Sequence, residues 1–194
     1  MPVPLIAAVA SAIFLARLIP QPLRLAKTGV PDGVSPLSAL NGVTACVAWI
    51  AYGLMIGVVP VWSVSVLALV PSVWTAWLLR REIDAAAAAA AGAWVGVLAL
   101  AAATGTFGAV LGLCVIVTQG PQVARAVREH DLSGISTTTW RIAVFDALAY
   151  GAYGLAIDDT ALLGYAVVLT ACAAIVLTRI WQTGDAETEP AYAT

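Results

Sequence analysis

An acidic and an aromatic side chain share one face of an apolar stretch in the second half of the chain. Asp146 precedes Tyr150 by four residues, so both project from nearly the same side of a helix. A carboxylate in an apolar helix within a membrane costs from about 2.5 kcal/mol upward, so it is expected to be paired or functional. Two roles fit it: an ion pair with Arg17 or Arg141, the basic residues embedded in apolar stretches, or uptake and release of a proton.

Two Pro-Gln pairs could supply conformational mobility. Pro20-Gln21 and Pro121-Gln122 each stand near the end of an apolar run. A proline removes one backbone hydrogen bond and loosens a helix, and the neighbouring glutamine amide can bond a carbonyl that has lost its partner. Both pairs are therefore predicted to be hinges.

The Pro-Gln pairs belong to a longer internal repeat. A shift of 101 residues superposes residues 20–57 on residues 121–158 without a gap and gives twelve identities in thirty-eight positions. The identities that the apolar composition does not make common are Pro20/Pro121, Gln21/Gln122, Arg24/Arg125, Gly33/Gly134, Tyr52/Tyr153 and Gly53/Gly154. The same shift pairs Trp49 with Tyr150 and Ala45 with Asp146. A charge at position 146 is therefore not a requirement of the repeated fold.

The elements that carry these residues are long apolar runs. Of the 194 residues, 61% are hydrophobic and 10% are charged, and the mean hydropathy is +0.94, far above that of soluble domains. Seven runs approach the roughly 20 residues that a helix needs to cross a bilayer: residues 3–22, 36–57, 59–79, 85–103, 105–125, 136–157 and 160–181. Only helices or closed barrels satisfy their backbone in lipid, and these runs are too long for barrel strands. The predicted class is an all-α membrane protein with seven transmembrane helices.

The basic residues indicate how the chain crosses the membrane. All nine Lys and Arg residues lie in or beside the loops after runs 1, 3, 5 and 7, and the loops after runs 2, 4 and 6 contain none. Loops rich in Lys and Arg stay on the cytoplasmic side. We therefore expect a multi-pass protein of the plasma membrane with its amino terminus outside and its carboxyl terminus in the cytoplasm.

The repeat divides the chain into four parts. We expect residues 1–82 to form the first three-helix repeat, residues 83–104 a linker helix, residues 105–182 the second repeat, and residues 183–194 a disordered acidic cytoplasmic tail. One linker helix returns the second repeat to the orientation of the first. The expected layout is therefore 3+1+3, with two parallel repeats about an axis along the membrane normal.

These motifs resemble the PQ-loop (MtN3/saliva) superfamily. The resemblance rests on Pro-Gln at the end of run 1, GVSP at the start of run 2, WIAYGL at its end, and Pro60 at the start of run 3, and it extends over residues 1–182. The 3+1+3 order is similar to the SWEET branch of sugar transporters. The resemblance implies alternating access between two repeats, facilitated diffusion (uniport) of a mono- or disaccharide, and a solute site near the bilayer midplane.

The resemblance also implies which residues form the solute site. It places an aromatic residue late in runs 2 and 6, here Trp49 and Tyr150, where an aromatic face could stack on a sugar. At the positions of its asparagines in runs 3 and 7, this chain has Ser65 and Ala166, and only Ser65 can hydrogen-bond through its side chain. Further expected site residues, by position on the same helix faces, are Ser38, Asn41, Thr139 and Asp146.

The main prediction is an alternating-access transporter of a small polar solute. Two alternatives stay open: a proton-coupled transporter of an amino acid or another solute that uses Asp146, and a membrane receptor or assembly protein without transport. Catalysis is not expected, because the sequence has no metal cluster, nucleotide-binding glycine loop or nucleophile with a base. The expected partners are the solute and membrane lipid, with self-association as an open alternative; no cofactor, metal or nucleic acid is expected.

Overall fold

The fold is built from helices throughout the part of the chain that can be described. The computed structural model describes residues 2–29, 31, 34–128, 132 and 135–183, and every regular element among them is a helix. The repeated glycines Gly33 and Gly134, and all but the first residue of the expected tail, lie outside the described residues.

Nine helices follow one another along the described residues. They are α1 (Val3–Leu18), α2 (Pro20–Thr28), α3 (Pro36–Met55), α4 (Val59–Leu78), α5 (Ala85–Ala103), α6 (Phe107–Gly112), α7 (Cys114–Arg128), α8 (Thr137–Ile157) and α9 (Thr160–Thr183). Helices α1 and α2 together form the first apolar run, and α6 and α7 together form the fifth. Six of the seven runs are helical stretches long and apolar enough to cross a membrane. The other run, α8, has 21 residues and contains Arg141 and Asp146.

Polar side chains cap the first turn of four of these helices, among them α9 through Asp159. The Ser35 hydroxyl accepts a hydrogen bond from the Ser38 amide at the start of α3, and Ser136 accepts one from the Thr139 amide at the start of α8. Asp84 caps α5 in the same way. Each cap satisfies a backbone N–H that has no partner inside its helix, which fixes where the helix starts.

Six of the described helices close into a bundle around a central axis. Helix α1 packs against α4 and α8, α4 against α3, α3 against α7, α7 against α9, and α9 against α8. We call α1–α4 the first half and α6–α9 the second half. The contacts form equivalent pairs: within the halves α3–α4 matches α8–α9, and between the halves α1–α8 matches α3–α7. Helix α5 lies outside this bundle, against α3 and α6.

Two glycines related by the 101-residue shift allow close helix contacts. A Cβ atom on Gly53 in α3 would lie 2.7 Å from the backbone nitrogen of Trp62 in α4. A Cβ atom on Gly154 in α8 would lie 3.0 Å from the Cβ atom of Leu162 in α9. The α3–α4 and α8–α9 contacts therefore both depend on a glycine.

Replacing Gly53 by alanine is expected to destabilise the protein by about 1–3 kcal/mol, because the α4 backbone would have to move away from α3. The matched control is Gly92→Ala in α5, where an added Cβ meets no atom within 4 Å and alanine favours the helix. Thermal unfolding of both purified variants in one detergent measures the difference. Equal unfolding midpoints would contradict the close contact.

Candidate functional site

Three cavities follow one another inside the bundle. Their volumes are about 140, 70 and 30 Å³. The first and second share Arg17 and Thr118 in their walls, and the second and third share Trp49 and Tyr165. We call them the basic-end cavity, the middle cavity and the aromatic cavity. The first name reflects the position of this cavity at the end of the bundle where the chain carries its basic loops.

The basic-end cavity is built by matched residues from both halves. Twelve of its lining residues form six pairs under the 101-residue shift: Arg17/Thr118, Leu18/Gln119, Gln21/Gln122, Val34/Ile135, Ser38/Thr139 and Ala39/Trp140. The cavity thus lies where the two halves face each other. Four of the expected site and hinge residues, Gln21, Gln122, Ser38 and Thr139, line it.

Several polar atoms of this cavity have no partner within the protein. Gln21 Nε2, Ser38 Oγ and Thr139 Oγ1 are buried, yet none of them hydrogen-bonds to a described residue. Buried polar atoms are normally satisfied, so these three atoms are unused hydrogen-bonding groups on residues of the cavity wall. Gln122 is held differently, because its Oε1 accepts a hydrogen bond from the Ser35 amide at 3.3 Å. That bond joins α7 to the start of α3.

The two prolines that the sequence predicts as hinges have different local structures. Pro20 begins α2, directly after the interruption at Ile19 that ends α1. Pro121 lies inside the continuous helix α7, and the interruption in that stretch is at Leu113, between α6 and α7. The repeat therefore places the prolines at equivalent positions, but only the first one coincides with a break between helices.

Asn41 supplies a hydrogen bond that Pro121 cannot supply. Proline has no N–H, so the carbonyl of Val117, four residues earlier, loses its helical donor. Asn41 Nδ2 donates to the Val117 oxygen at 3.1 Å. With 1% of its surface exposed, Asn41 lies between α3 and α7 and lines none of the three cavities, whereas the sequence pattern placed it on the cavity face.

Asn41→Leu is expected to destabilise the protein by about 1–3 kcal/mol, because the buried Val117 carbonyl would lose its donor. The matched control is Thr44→Val, one turn further along α3, since the Thr44 hydroxyl bonds only the Leu40 carbonyl of its own helix. Unfolding midpoints in detergent compare the two variants. If Asn41→Leu is as stable as Thr44→Val, the side chain does not support the α3–α7 contact.

A charged cluster lies at the wall of the basic-end and middle cavities. Arg17 Nε is 2.9 Å from Asp146 Oδ2. The Tyr165 hydroxyl donates to the same oxygen at 2.7 Å and accepts a hydrogen bond from Arg17 Nη2 at 3.1 Å. Of the two candidate partners of Asp146, it is therefore Arg17 that forms the ion pair. The pair joins α1 of the first half to α8 of the second half.

Asp146 lies behind the cavity wall. Its side chain is 0% exposed and lines none of the three cavities, because Arg17 and Tyr165 cover it. The sequence pattern placed Asp146 on the cavity surface together with Tyr150, whereas in the structure Tyr150 lines a cavity and Asp146 does not. The second carboxylate oxygen, Oδ1, is buried without a hydrogen bond to any described residue.

The aromatic cavity brings together three of the expected site residues. Trp49, Tyr150 and Ser65 all line it, and Tyr165 completes it. The Tyr165 ring meets Trp49 and Tyr150 edge to face, with centroid distances of 6.0 and 5.6 Å. Sequence reasoning missed Tyr165. The available signal was a phenolic hydroxyl in an apolar run, one residue before the expected position 166.

The positions expected to hydrogen-bond the solute have other contacts. Ser65 lines the middle and aromatic cavities, but its hydroxyl donates to the Val61 carbonyl of its own helix at 2.8 Å. Ala166 is buried and lines none of the three cavities, and a Cβ atom on Gly151 would lie 3.3 Å from its methyl group. Ala166 therefore contributes to the α8–α9 contact.

Tyr52 joins the two halves at the end opposite the basic loops. Its hydroxyl donates to Asp159 Oδ2 at 2.9 Å, and Asp159 Oδ1 accepts a hydrogen bond from the Leu162 amide at 2.8 Å. The Tyr52 ring also packs edge on against Trp49 and Phe107. Helix α3 is thereby tied to the start of α9 beyond the aromatic cavity.

This chain matches no family model, no curated protein and no solved structure. Among the described residues, no group of His, Cys, Asp and Glu side chains could hold a metal ion.

Proposed function

We propose that this protein is an alternating-access transporter that moves a small polar solute, a mono- or disaccharide, by facilitated diffusion. The observation that carries the proposal is the basic-end cavity, to which both halves contribute side chains at matched positions. A cavity between two similar halves can open to either side of a membrane as the halves tilt.

The proposal requires α8 to be a seventh membrane span. Its 21 residues are sufficient to cross a bilayer, and it packs between α1 and α9, which are themselves in spanning stretches. Its acidic residue Asp146 is paired with Arg17 inside the bundle. The layout is then 3+1+3, with α5 as the linker, and the basic loops put the amino terminus outside the plasma membrane and the carboxyl terminus in the cytoplasm.

The solute path of this proposal runs through the three cavities. A solute enters at the basic end, passes Arg17 in the middle cavity and reaches the aromatic faces of Trp49 and Tyr150. The Tyr52–Asp159 hydrogen bond holds the opposite end together. In the complementary state this bond separates and the basic-end cavity closes. The solute shifts the balance between the two states only as far as its affinities for them differ.

Uptake by proteoliposomes tests the transport function. Labelled glucose and sucrose, with amino acids as competitors, are offered with and without an imposed pH gradient, and protein-free liposomes serve as the control. We expect a labelled sugar to enter the proteoliposomes until its inside and outside concentrations are equal. The pH gradient should not change this uptake. If neither sugars nor amino acids cross, the non-transporting receptor or assembly protein becomes the better interpretation.

Proton-coupled transport is the second candidate, and the buried, unpartnered Oδ1 of Asp146 favours it. In that case the pH gradient drives accumulation above the outside concentration. The variant that tests it is Arg17→Gln combined with Asp146→Asn, because Asp146→Asn alone also leaves Arg17 without its counter-charge. Loss of gradient-driven accumulation with retained downhill uptake in the double variant would establish the proton role.

A further inference from the structure

We propose that the transported solute is an acidic sugar, a hydroxylated compound whose carboxylate binds Arg17. This inference rests on the proposed transport function and names the class of solute for the same cavities. It is carried by the charge and position of Arg17, by the burial of Asp146 behind it, and by the unpartnered polar atoms of the basic-end cavity.

The cavity walls in the described part of the chain present a positive charge to a solute. Among the described residues that line the three cavities, Arg17 is the only one with a charged side chain. Asp146, its counter-charge, is fully enclosed and lines none of them. A solute in the basic-end or middle cavity therefore meets the cation of this ion pair and no carboxylate.

Arg17 has N–H groups that its partners within the described residues do not use. A guanidinium has five N–H donors. In this structure Nε faces Asp146 Oδ2 and Nη2 donates to the Tyr165 hydroxyl, which leaves Nη1 without a hydrogen bond to any described residue. Asp146 and Tyr165 thus occupy the Nε–Nη2 edge of the guanidinium, whereas the Nη1–Nη2 edge, which also presents two parallel N–H groups, forms no hydrogen bond with a described residue. A solute carboxylate can use that edge.

Neutral side chains with hydrogen-bonding groups line the same cavity walls as Arg17. Gln21 Nε2, Ser38 Oγ and Thr139 Oγ1 are unpartnered atoms of the same basic-end cavity, and Gln119 and Thr118 line both it and the middle cavity. Amides and hydroxyls match the hydroxyl groups of a sugar. An ammonium group would find no acidic side chain among the described residues of these walls, so an amino sugar, which carries a positive charge, fits poorly. The combination selects a polyhydroxylated anion.

The test is ligand-induced stabilisation of the purified full-length protein in detergent, since a ligand that binds the folded state raises the unfolding midpoint. Glucuronate, glucose and glucosamine are titrated at one pH and ionic strength, and acetate controls for a carboxylate without hydroxyl groups. We expect glucuronate to stabilise the protein at a roughly tenfold lower concentration than glucose, as one charge-assisted hydrogen bond would give. Glucosamine and acetate should have no effect.

The double variant Arg17→Gln/Asp146→Asn removes both charges and keeps side chains of similar size. We expect it to bind glucuronate no better than glucose, whereas Arg17→Lys should keep part of the preference. The inference is overturned if the native protein binds glucose at least as well as glucuronate, if it binds neither, or if the preference survives in the double variant.

Uptake of the same labelled compounds separates this inference from the proposed function. If glucuronate binds with the expected preference but neither compound crosses the membrane, the transport proposal fails and the ligand class stands. If glucose crosses and glucuronate neither binds nor competes with it, the ligand class fails and transport stands.

Discussion

Replacing Asp146 by asparagine in a protein that keeps Arg17 is expected to lower the free energy of unfolding by about 3–5 kcal/mol. The Arg17 side chain is only 8% exposed, and the substitution removes the counter-charge that lies 2.9 Å from its Nε. Arg17→Gln should have an effect of similar size, because the fully buried Asp146 carboxylate would then lose its cation. The neutral partner Tyr165 cannot compensate either charge.

The double variant Arg17→Gln/Asp146→Asn should recover most of that loss, because no isolated charge remains buried. Unfolding of the native protein, both single variants and the double variant in one detergent gives the coupling energy of the pair. Arg141→Gln is the control, since Arg141 is exposed and should change stability little. Additive effects of the two single substitutions would show that the pair is not coupled in the folded protein.

The ion pair has a counterpart elsewhere in the bundle. The two halves meet at the α1–α8 contact and at the α3–α7 contact, which the repeat makes equivalent. Arg17 and Asp146 bridge the first contact, and Asn41 bridges the second through the Val117 carbonyl. The repeat mates of these side chains cannot form the same bonds. The two contacts, equivalent by the repeat, are therefore held by different polar bonds.

Much of the fold could be predicted from local sequence signals. Apolar runs of membrane-spanning length predicted the helices, and Ser35 and Asp84 mark helix starts because their side chains satisfy free backbone amides. The 101-residue repeat predicted which residues occupy equivalent places, and six such pairs line one cavity. The break at Leu113 was not predicted, although Gly112 stands directly before it and glycine is unfavourable in a helix interior.

The candidate site was less predictable, because which way a side chain faces depends on packing between distant helices. Trp49, Tyr150 and Ser65 meet in one cavity, but Tyr165 faces it where Ala166 was expected. Consecutive side chains on a helix point about 100° apart, so an error of one residue in the expected position changes which neighbour the side chain faces. Asn41 faces α7 because the carbonyl freed by Pro121 lies there, a partner 76 residues away that no local pattern reveals.

Trp49→Ala is expected to lower solute uptake by at least about tenfold, which corresponds to roughly 1.4 kcal/mol of lost binding. The indole lines both the middle and the aromatic cavity and meets Tyr52 and Tyr165 edge to face. Its removal takes away the surface on which a sugar would stack and widens the cavity. Trp49→Phe keeps an aromatic face at the same place and should retain much of the uptake.

The measurement is the initial uptake rate as a function of solute concentration, normalised to folded protein in the proteoliposomes. Normalisation matters because truncation of a buried tryptophan also destabilises a protein by about 3–5 kcal/mol. Trp181→Ala is the matched control, since Trp181 is 79% exposed and should leave uptake unchanged. Tyr150→Ala should reduce uptake as well, and the double variant with Trp49→Ala should lose less than the product of both effects if both aromatic side chains contact one solute. Normal uptake by folded Trp49→Ala protein would place the solute path outside the aromatic cavity.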